Sequence, residues 1–309
     1  MNVKSIAETA VHSLGAVDFL RYRNRSRARI LMYHRFHGDP NTVRERLAFQ
    51  CRHLRRHYHP VGLDEIADAA RDGKPLPPNS LALTIDDGYR DFQLAFPIFR
   101  EFGFRPTLYV VSQFASGNIW LWPDQLLYLL ENSPRKDPNL PVRAAFDRKA
   151  QAMIAMSNRD RLSVLRALPT ELDASLPSSI PERFAPLSWP ELRAMVSQGL
   201  DIGAHTASHP ILSKLDSEDE LYDEIAGSKA AIESATGASV NHFCYPNGTF
   251  ADIDAATERI AAKAGYRTAV LAEPGFAGPP YSPFRLKRIG VDPGLPQLYF
   301  ERCVAGYRL

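Results

Sequence analysis

The chain has 309 residues, 45% apolar and 23% charged, with 37 Lys plus Arg against 35 Asp plus Glu and a formal net charge of +2. That length can bury a large core, as one α/β domain of about 200–300 residues or as two smaller ones, and the near-neutral balance gives no argument for nucleic acid. Cys51, Cys244 and Cys303 are odd in number and far apart, so no disulfide framework is implied, and no run approaches the roughly 18 apolar residues of a membrane span.

Residues 1–28 lack the continuous apolar core of a secretory signal, so the expected location is cytoplasmic. Within them, Ile6, Ala10, Leu14 and Val17 recur at helical spacing and predict a short amphipathic helix over residues 3–20. Arg21, Arg23, Arg25, Arg27 and Arg29 then alternate with other residues. They read as a solvated linker, with peripheral contact to a membrane surface as the alternative. Residues 1–28 are thus expected to be a helical and basic segment ahead of a main domain over 29–309.

Ala28–His34 reads as a short buried strand ending in a histidine, and residues 43–57 as a helix with Leu47, Phe49 and Leu54 inward. His53 and His57 stand at i,i+4 on that helix, a spacing that can bind a metal. Arg52, Arg55 and Arg56 crowd them with no acid near, so they read as an exposed polar face. Leu63–Asp72 predicts another helix, and Pro75, Pro77 and Pro78 lead into Leu81–Ile85, apolar but for Thr84. Asp86 and Asp87 follow where that strand ends. Gly88 turns the chain into an apolar-periodic helix with Phe92, Phe96 and Phe99, which Pro97 kinks or opens and Gly103 stops. Pro106–Val111 completes a first βαβ unit.

Residues 114–185 break the rhythm. Ile119–Trp122 and Leu126–Leu130 are apolar, and a helical stretch is expected over Ala144–Leu168. This is an insertion on the catalytic face or a small helical subdomain, its aromatics either lining a sugar groove or packing the insertion onto the main body. Rhythm resumes with a capping box, Ser188 with Glu191, then a strand Leu200–Ala204 ending at His205. Ser217 with Glu220 opens a helix that runs to Gly237. Val240–Tyr245 is a strand, Asp252–Lys263 a helix, and Tyr266–Leu271 and Phe284–Val291 are strands. Seven or eight strands alternating with helices predict an α/β fold, a distorted (β/α)7-8 barrel with parallel strands and a helical insertion. No G-x-G-x-x-G or G-x-x-x-x-G-K-[ST] occurs, which removes the main support for dinucleotide or P-loop chemistry.

Ligands of such sheets bind at the carboxyl ends of the strands. Two acids in contact there repel unless a positive charge neutralises them. His205 and His209, four apart after another strand, can face one point, and with one carboxylate they make a His₂-carboxylate set suited to Zn²⁺ or a related divalent ion. The second carboxylate is then available to take a proton from water activated by the ion. The turn Tyr245-Pro246-Asn247-Gly248 can supply a backbone donor to an oxyanion, and His34 at the first strand end is the remaining candidate for a general acid. Spacing alone does not assign which of Asp86 and Asp87 is base and which is ligand.

Thr84-Ile85-Asp86-Asp87-Gly88-Tyr89, His205-Thr206-Ala207-Ser208-His209 and Tyr245-Pro246-Asn247-Gly248 resemble the successive motifs of the polysaccharide deacetylases, the nodulation deacetylase homology group of carbohydrate esterase family 4. The resemblance runs from about residue 29 to 292, with 114–185 poorly matched. It implies a distorted barrel, a divalent metal, Zn²⁺ before others, and removal of acetyl groups from N-acetylated, sometimes O-acetylated, sugars of a surface or exported polysaccharide or its precursor. By position, it implies Asp86 as the base and Asp87, His205 and His209 as metal ligands. Two departures stand out. Many members open the third motif with an Arg that braces the base, where this chain has Phe243 or Cys244; Arg288 is the candidate substitute. Many members also carry a C-terminal histidine as general acid, and none follows His242 here. Tyr33-His34 is similar to the N-terminal Tyr-His strand of a permuted branch that includes the poly-N-acetylglucosamine deacetylases, which supports His34. The competing readings are a metal-dependent hydrolase of a non-sugar amide and a non-catalytic glycan-binding protein.

Overall fold

A computed structural model describes residues 15–135, 137 and 139–307. Its eight strands are β1 (Arg29–Tyr33), β2 (His59–Pro60), β3 (Ser80–Ile85), β4 (Thr107–Val110), β5 (Asp201–Ala204), β6 (His242–Cys244), β7 (Thr268–Pro274) and β8 (Leu286–Gly290). All pairings are parallel. The order β1-β8-β7-β6-β5-β4-β3 closes on itself because β3 also pairs with β1, from Arg29 opposite Leu81 to Tyr33 opposite Ile85. The result is a closed seven-stranded barrel with helices around it. Strand β2 is a two-residue addition beside the start of β3, pairing His59 with Ser80 and Pro60 with Leu81.

Side chains alternate along each strand between the barrel interior and the outer layer of helices. Leu81, Leu83, Ile85, Leu108, Val110, Phe243, Ala269 and Leu271 belong to the outer core, with Phe92, Phe96 and Phe99 packed there from the helix Phe92–Glu101. Ile30, Ala82, Tyr109, Cys244, Val270 and Leu286 form a separate inner cluster. Gly203 on β5 makes room for the Tyr109 ring: a Cβ there would lie 2.5 Å from the ring and 2.9 Å from the His242 carbonyl oxygen.

The insertion carries its own small core. Leu126, Leu129 and Leu130 of the helix Trp122–Asn132 pack on Ala150 and Met153 of Val142–Ile154 and on Leu168 and Leu172 of Asn158–Leu172. The single helix expected over Ala144–Leu168 is therefore two. The second starts afresh at Ser157, whose side chain accepts from the Asp160 amide.

Two surface expectations are corrected. Arg29 is not in a solvated linker but fully buried in β1, with Nε donating to the Val304 carbonyl at 2.7 Å and the guanidinium 4.8 Å from the Tyr58 ring centroid. Arg23, Arg25 and Arg27 are exposed, but Arg21 and Arg23 lie in the helix Ala16–Arg23, and half-buried Arg21 stands 2.7 Å from Nδ1 of His57, itself half-buried rather than exposed. His53 is buried rather than exposed, 3.5 Å from Glu301, because the helix Gln297–Ala305 packs on that side of Pro40–His57. The amphipathic helix expected over residues 3–20 falls mostly outside the described residues, which contain its end as Ala16–Arg23. Among the described residues no helix is long and apolar enough to cross a membrane.

Candidate metal and hydrolytic site

The ends of β1, β3, β5 and β6, with Arg288 from within β8, meet at one mouth of the barrel around a cleft of ≈ 380 Å³: His34, Asp86, Asp87, His205, His209, Tyr245, Asn247 and Arg288 all line it. Several sit in backbone conformations that L-residues avoid. Asp87 has φ 73°, Thr206 67°, His209 62° and Asn247 62°. Such strain persists only where the surroundings impose it and it clusters at functional sites. Gly248 is forced by close approach, since a Cβ would lie 2.8 Å from the Ala272 amide of β7.

Asp87 Oδ1 lies 3.3 Å from His205 Nε2 and 3.4 Å from His209 Nε2. Ligands at ~2.0–2.1 Å around a tetrahedral ion stand ~3.3 Å apart, so each imidazole nitrogen stands from the carboxylate at the spacing of a shared cation, and the ligand atoms of the three residues lie within 4.8 Å of one another. The tautomer agrees. His205 Nδ1 is 2.7 Å from the Cys244 carbonyl, which can only accept, so Nδ1 carries the proton and Nε2 offers its lone pair towards Asp87. Two lone pairs facing each other call for positive charge between them. Where protons rather than an ion supply that charge, burial is outweighed by hydrogen bonds from the protonated imidazoles of His205 and His209, holding the Asp87 carboxyl well below its usual range and His205 well above its own. Burial lowers His209, favouring the neutral imidazole that ligation needs. The residues fit a divalent ion.

Asp86 is held differently. Alternation along β3 turns Ala82, Thr84 and Asp86 inward, and along β8 it turns Leu286 and Arg288 inward. Arg288 NH1 and NH2 meet Asp86 Oδ1 and Oδ2 at 2.7 Å each. Its remaining donors go to the Leu271 carbonyl at 2.8 Å, Thr84 Oγ1 at 3.1 Å and Cys244 Sγ at 3.2 Å. Burial pushes the Asp86 carboxyl up, and the Arg288 charge, then His34, outweigh it and lower it. Asp86, His205 and Cys244 also lie close enough to share an ion, but a guanidinium already fills that space and burial raises the Cys244 thiol. The motif departure thus has a physical counterpart: with Cys244 at the end of β6, the cation facing Asp86 comes from β8. His34 Nε2 is 3.5 Å from Asp86 Oδ2, and its side chain is 46% exposed.

In the third turn, the Tyr245 amide donates to the Val270 carbonyl and the Gly248 amide to the Pro246 carbonyl. Among the described residues the Asn247 amide has no protein acceptor. The Asn247 side chain donates to Asp252 at 2.8 Å and the Tyr245 hydroxyl to the Phe284 carbonyl at 3.0 Å. What this turn offers the cleft is therefore backbone.

Two supports escaped sequence reasoning. Glu224 Oε2 accepts from the Ala207 and Ser208 amides at 2.9 Å each, and Oε1 from the Ser208 hydroxyl, clamping the loop between the two histidines. It sits in a π-helical turn, Asp223–Gly227, a distortion frequent at functional sites; the only sequence signal is an acid inside an otherwise regular helix. The other is buried Asp124 on the insertion, which accepts from the Tyr89 hydroxyl at 2.6 Å and whose carboxyl burial raises to about 7. This contact ties the insertion to the turn that carries Asp86 and Asp87.

The family model described as polysaccharide deacetylase matches residues 73–269. A poly-beta-1,6-N-acetyl-D-glucosamine N-deacetylase of Escherichia coli (strain K12) is 48% identical over 46 residues, covering 15% of this chain and 7% of that protein, so the chain matches only a small part of that relative. Among solved structures, the Streptococcus pyogenes deacetylase PplD in complex with acetate superposes with a TM-score of 0.59 at 18% identity, over 87% of this chain and 94% of that one. IcaB from Ammonifex degensii gives 0.59 at 17% identity, over 91% and 97%. These two likenesses concern the fold.

Proposed function

The chain belongs to the polysaccharide deacetylase family, and from that premise we propose that it is a metal-dependent hydrolase removing acetyl groups from N-acetylated sugars of a surface or exported polysaccharide or its precursor. The observation that carries this reading is the division of labour between adjacent acids. Asp87 stands at ligand spacing from His205 and His209, while both oxygens of Asp86 are engaged by Arg288 beside His34. A divalent ion, Zn²⁺ before others for two imidazoles and one carboxylate, would supply a positive charge that polarises the amide carbonyl and acidifies water.

The chain's own residues do the rest. Asp86, kept ionised by Arg288, accepts the proton of the attacking water. The Asn247 amide donates to the carbonyl oxygen as negative charge grows on it. His34, exposed enough to exchange protons with solvent, donates one to the departing nitrogen as the C–N bond breaks, giving acetate and a free amine. Arg288 and Glu224 act as positioning residues, the first through Asp86 and the second through the His205–His209 loop.

The test is acetate release by the zinc-loaded protein from a panel of N-acetylated sugars and oligomers. His34→Ala is expected to retain the metal and lose roughly 10²–10⁴-fold in rate, and Asp86→Asn to lose activity with metal content unchanged. No acetate from any acetylated sugar would overturn the reading, and loss of the metal in Asp86→Asn but not Asp87→Asn would reverse the two roles.

A further inference from the structure

Around the barrel the insertion rises after β4, between the ends of β3 and β5. Its residues Trp122, Pro123, Phe146, Ala150 and Ile154 wall the cleft on that side. The wall is stiff. Leu126, Leu129 and Leu130, following Trp122 on its helix, are in the insertion's core. The buried guanidinium of Arg161 lies 5.7 Å from the Trp122 ring centroid, and Asp124 pins the helix to Tyr89.

Two and three strands further round, at the ends of β1 and β8, no such wall stands among the described residues. There the cleft meets a second concavity of ≈ 430 Å³, and His34 lines both. Met32, Val291, Leu295 and Tyr299 give this groove apolar surface, and His37 and Asp292 stand at it with polar groups. Tyr299 is 54% exposed. Apolar patches beside hydrogen-bonding groups suit a sugar, whose ring has a C–H face and a hydroxyl rim.

Resting on the deacetylase reading, we propose that the enzyme acts from the end of a glycan. The terminal acetylated unit lodges between the metal ligands and the Trp122–Phe146 wall, and the units that follow leave past His34 along the groove of Met32, Val291, Leu295 and Tyr299. An interior unit would need to continue on both sides, and on the β4 side the insertion stands in its path.

The experiment uses the zinc-loaded full chain and fully acetylated N-acetylglucosamine oligomers of one to five units, with kcat/KM measured at each length and the first free amine located by fragmentation. The amine is expected at one terminus, and kcat/KM is expected to rise with length. Burying the C–H face of one further sugar, on the order of 50–60 Å², is worth about tenfold. Tyr299→Ala should therefore lower the tetramer value about tenfold while leaving the monomer value unchanged, and Phe146→Ala should lower both. A first amine at interior positions, or equal losses for monomer and tetramer in Tyr299→Ala, would overturn the proposal. Should the wild-type protein release no acetate, the deacetylase reading fails, and calorimetric binding of the same oligomers still decides the groove. Weaker tetramer binding in Tyr299→Ala with monomer binding unchanged supports it; equal binding to wild type and variant overturns it.

Discussion

Removing Arg288 strands a charge inside the barrel, and the size of the penalty follows from the contacts. Asp86 is 2% and Arg288 1% exposed, and two N–H···O contacts of 2.7 Å join them. Hydrogen bonds to charged groups are worth about 1.5–3 kcal/mol each, and truncating one partner of a buried ion pair costs about 3–5 kcal/mol because the survivor is left uncompensated. Arg288→Met and Asp86→Ala should each fall in that range. The double variant buries neither charge, so it should be well short of the sum, with a coupling of at least about 2 kcal/mol. The assay is urea denaturation of all four proteins in chelator, so that ion binding contributes nothing, with equal m-values required across the cycle. A coupling within about 0.5 kcal/mol of zero would mean that the pair does not act as a unit, and the account of how Asp86 is kept ionised would fall with it.

Glu224→Gln keeps the size of the loop clamp but loses its charge, and is expected to weaken Zn²⁺ binding by about 10–100-fold; competition with a chromophoric chelator measures this, and unchanged affinity would remove Glu224 from the site. Gly203→Ala drives a methyl into the Tyr109 ring and the His242 carbonyl and should cost about 1–3 kcal/mol, read from the denaturation midpoint. At the opposite mouth of the barrel, His242, 3.3 Å away, with Arg267 adding its charge, lowers Asp64 to about 2. An acid depressed by folding adds stability above its unfolded pKa, and that increment is lost as pH falls from about 4 through about 2. The Asp64 side chain is 43% exposed, so solvent screening limits the effect to about 1 kcal/mol or less. Asp64→Asn should lower stability slightly at pH 7 and flatten that acid limb, and an acid limb as steep as wild type would refute the assignment.

Strand positions and strand ends were legible because a parallel barrel writes them plainly: a short apolar run, then a polar residue where the run meets the mouth. His34, Asp86, His205 and Tyr245 all follow that rule, and the cleft collects them. Alternation could have gone further, since counting by twos from Leu286 and Ala82 puts Arg288 and Asp86 on the same inner face. What remained hidden was what depends on packing between distant segments. Arg29 looked like one more surface arginine because nothing near it reveals that Tyr58, Phe276 and the Val304 carbonyl enclose it. His53 is hidden for the same reason, its covering helix lying more than 240 residues further along the chain. The break at Ser157 was readable, as Ser157 with Asp160 carries a start signal of its own, but apolar periodicity continued across it.

The closure of the barrel has a consequence for the order in which a ribosome delivers it. β8 lies between β1 and β7, so the last strand to emerge is the neighbour of the first. Until residues 286–290 arrive, a nascent chain can pair β1 with β3 and extend the sheet to β7, yet it holds two open edges and an inward Asp86 with no counter-charge. Open edges invite association with other chains. Synthesis of the final strand closes both edges at once and brings Arg288 to the carboxylate, so completing the sheet and neutralising the site are a single event.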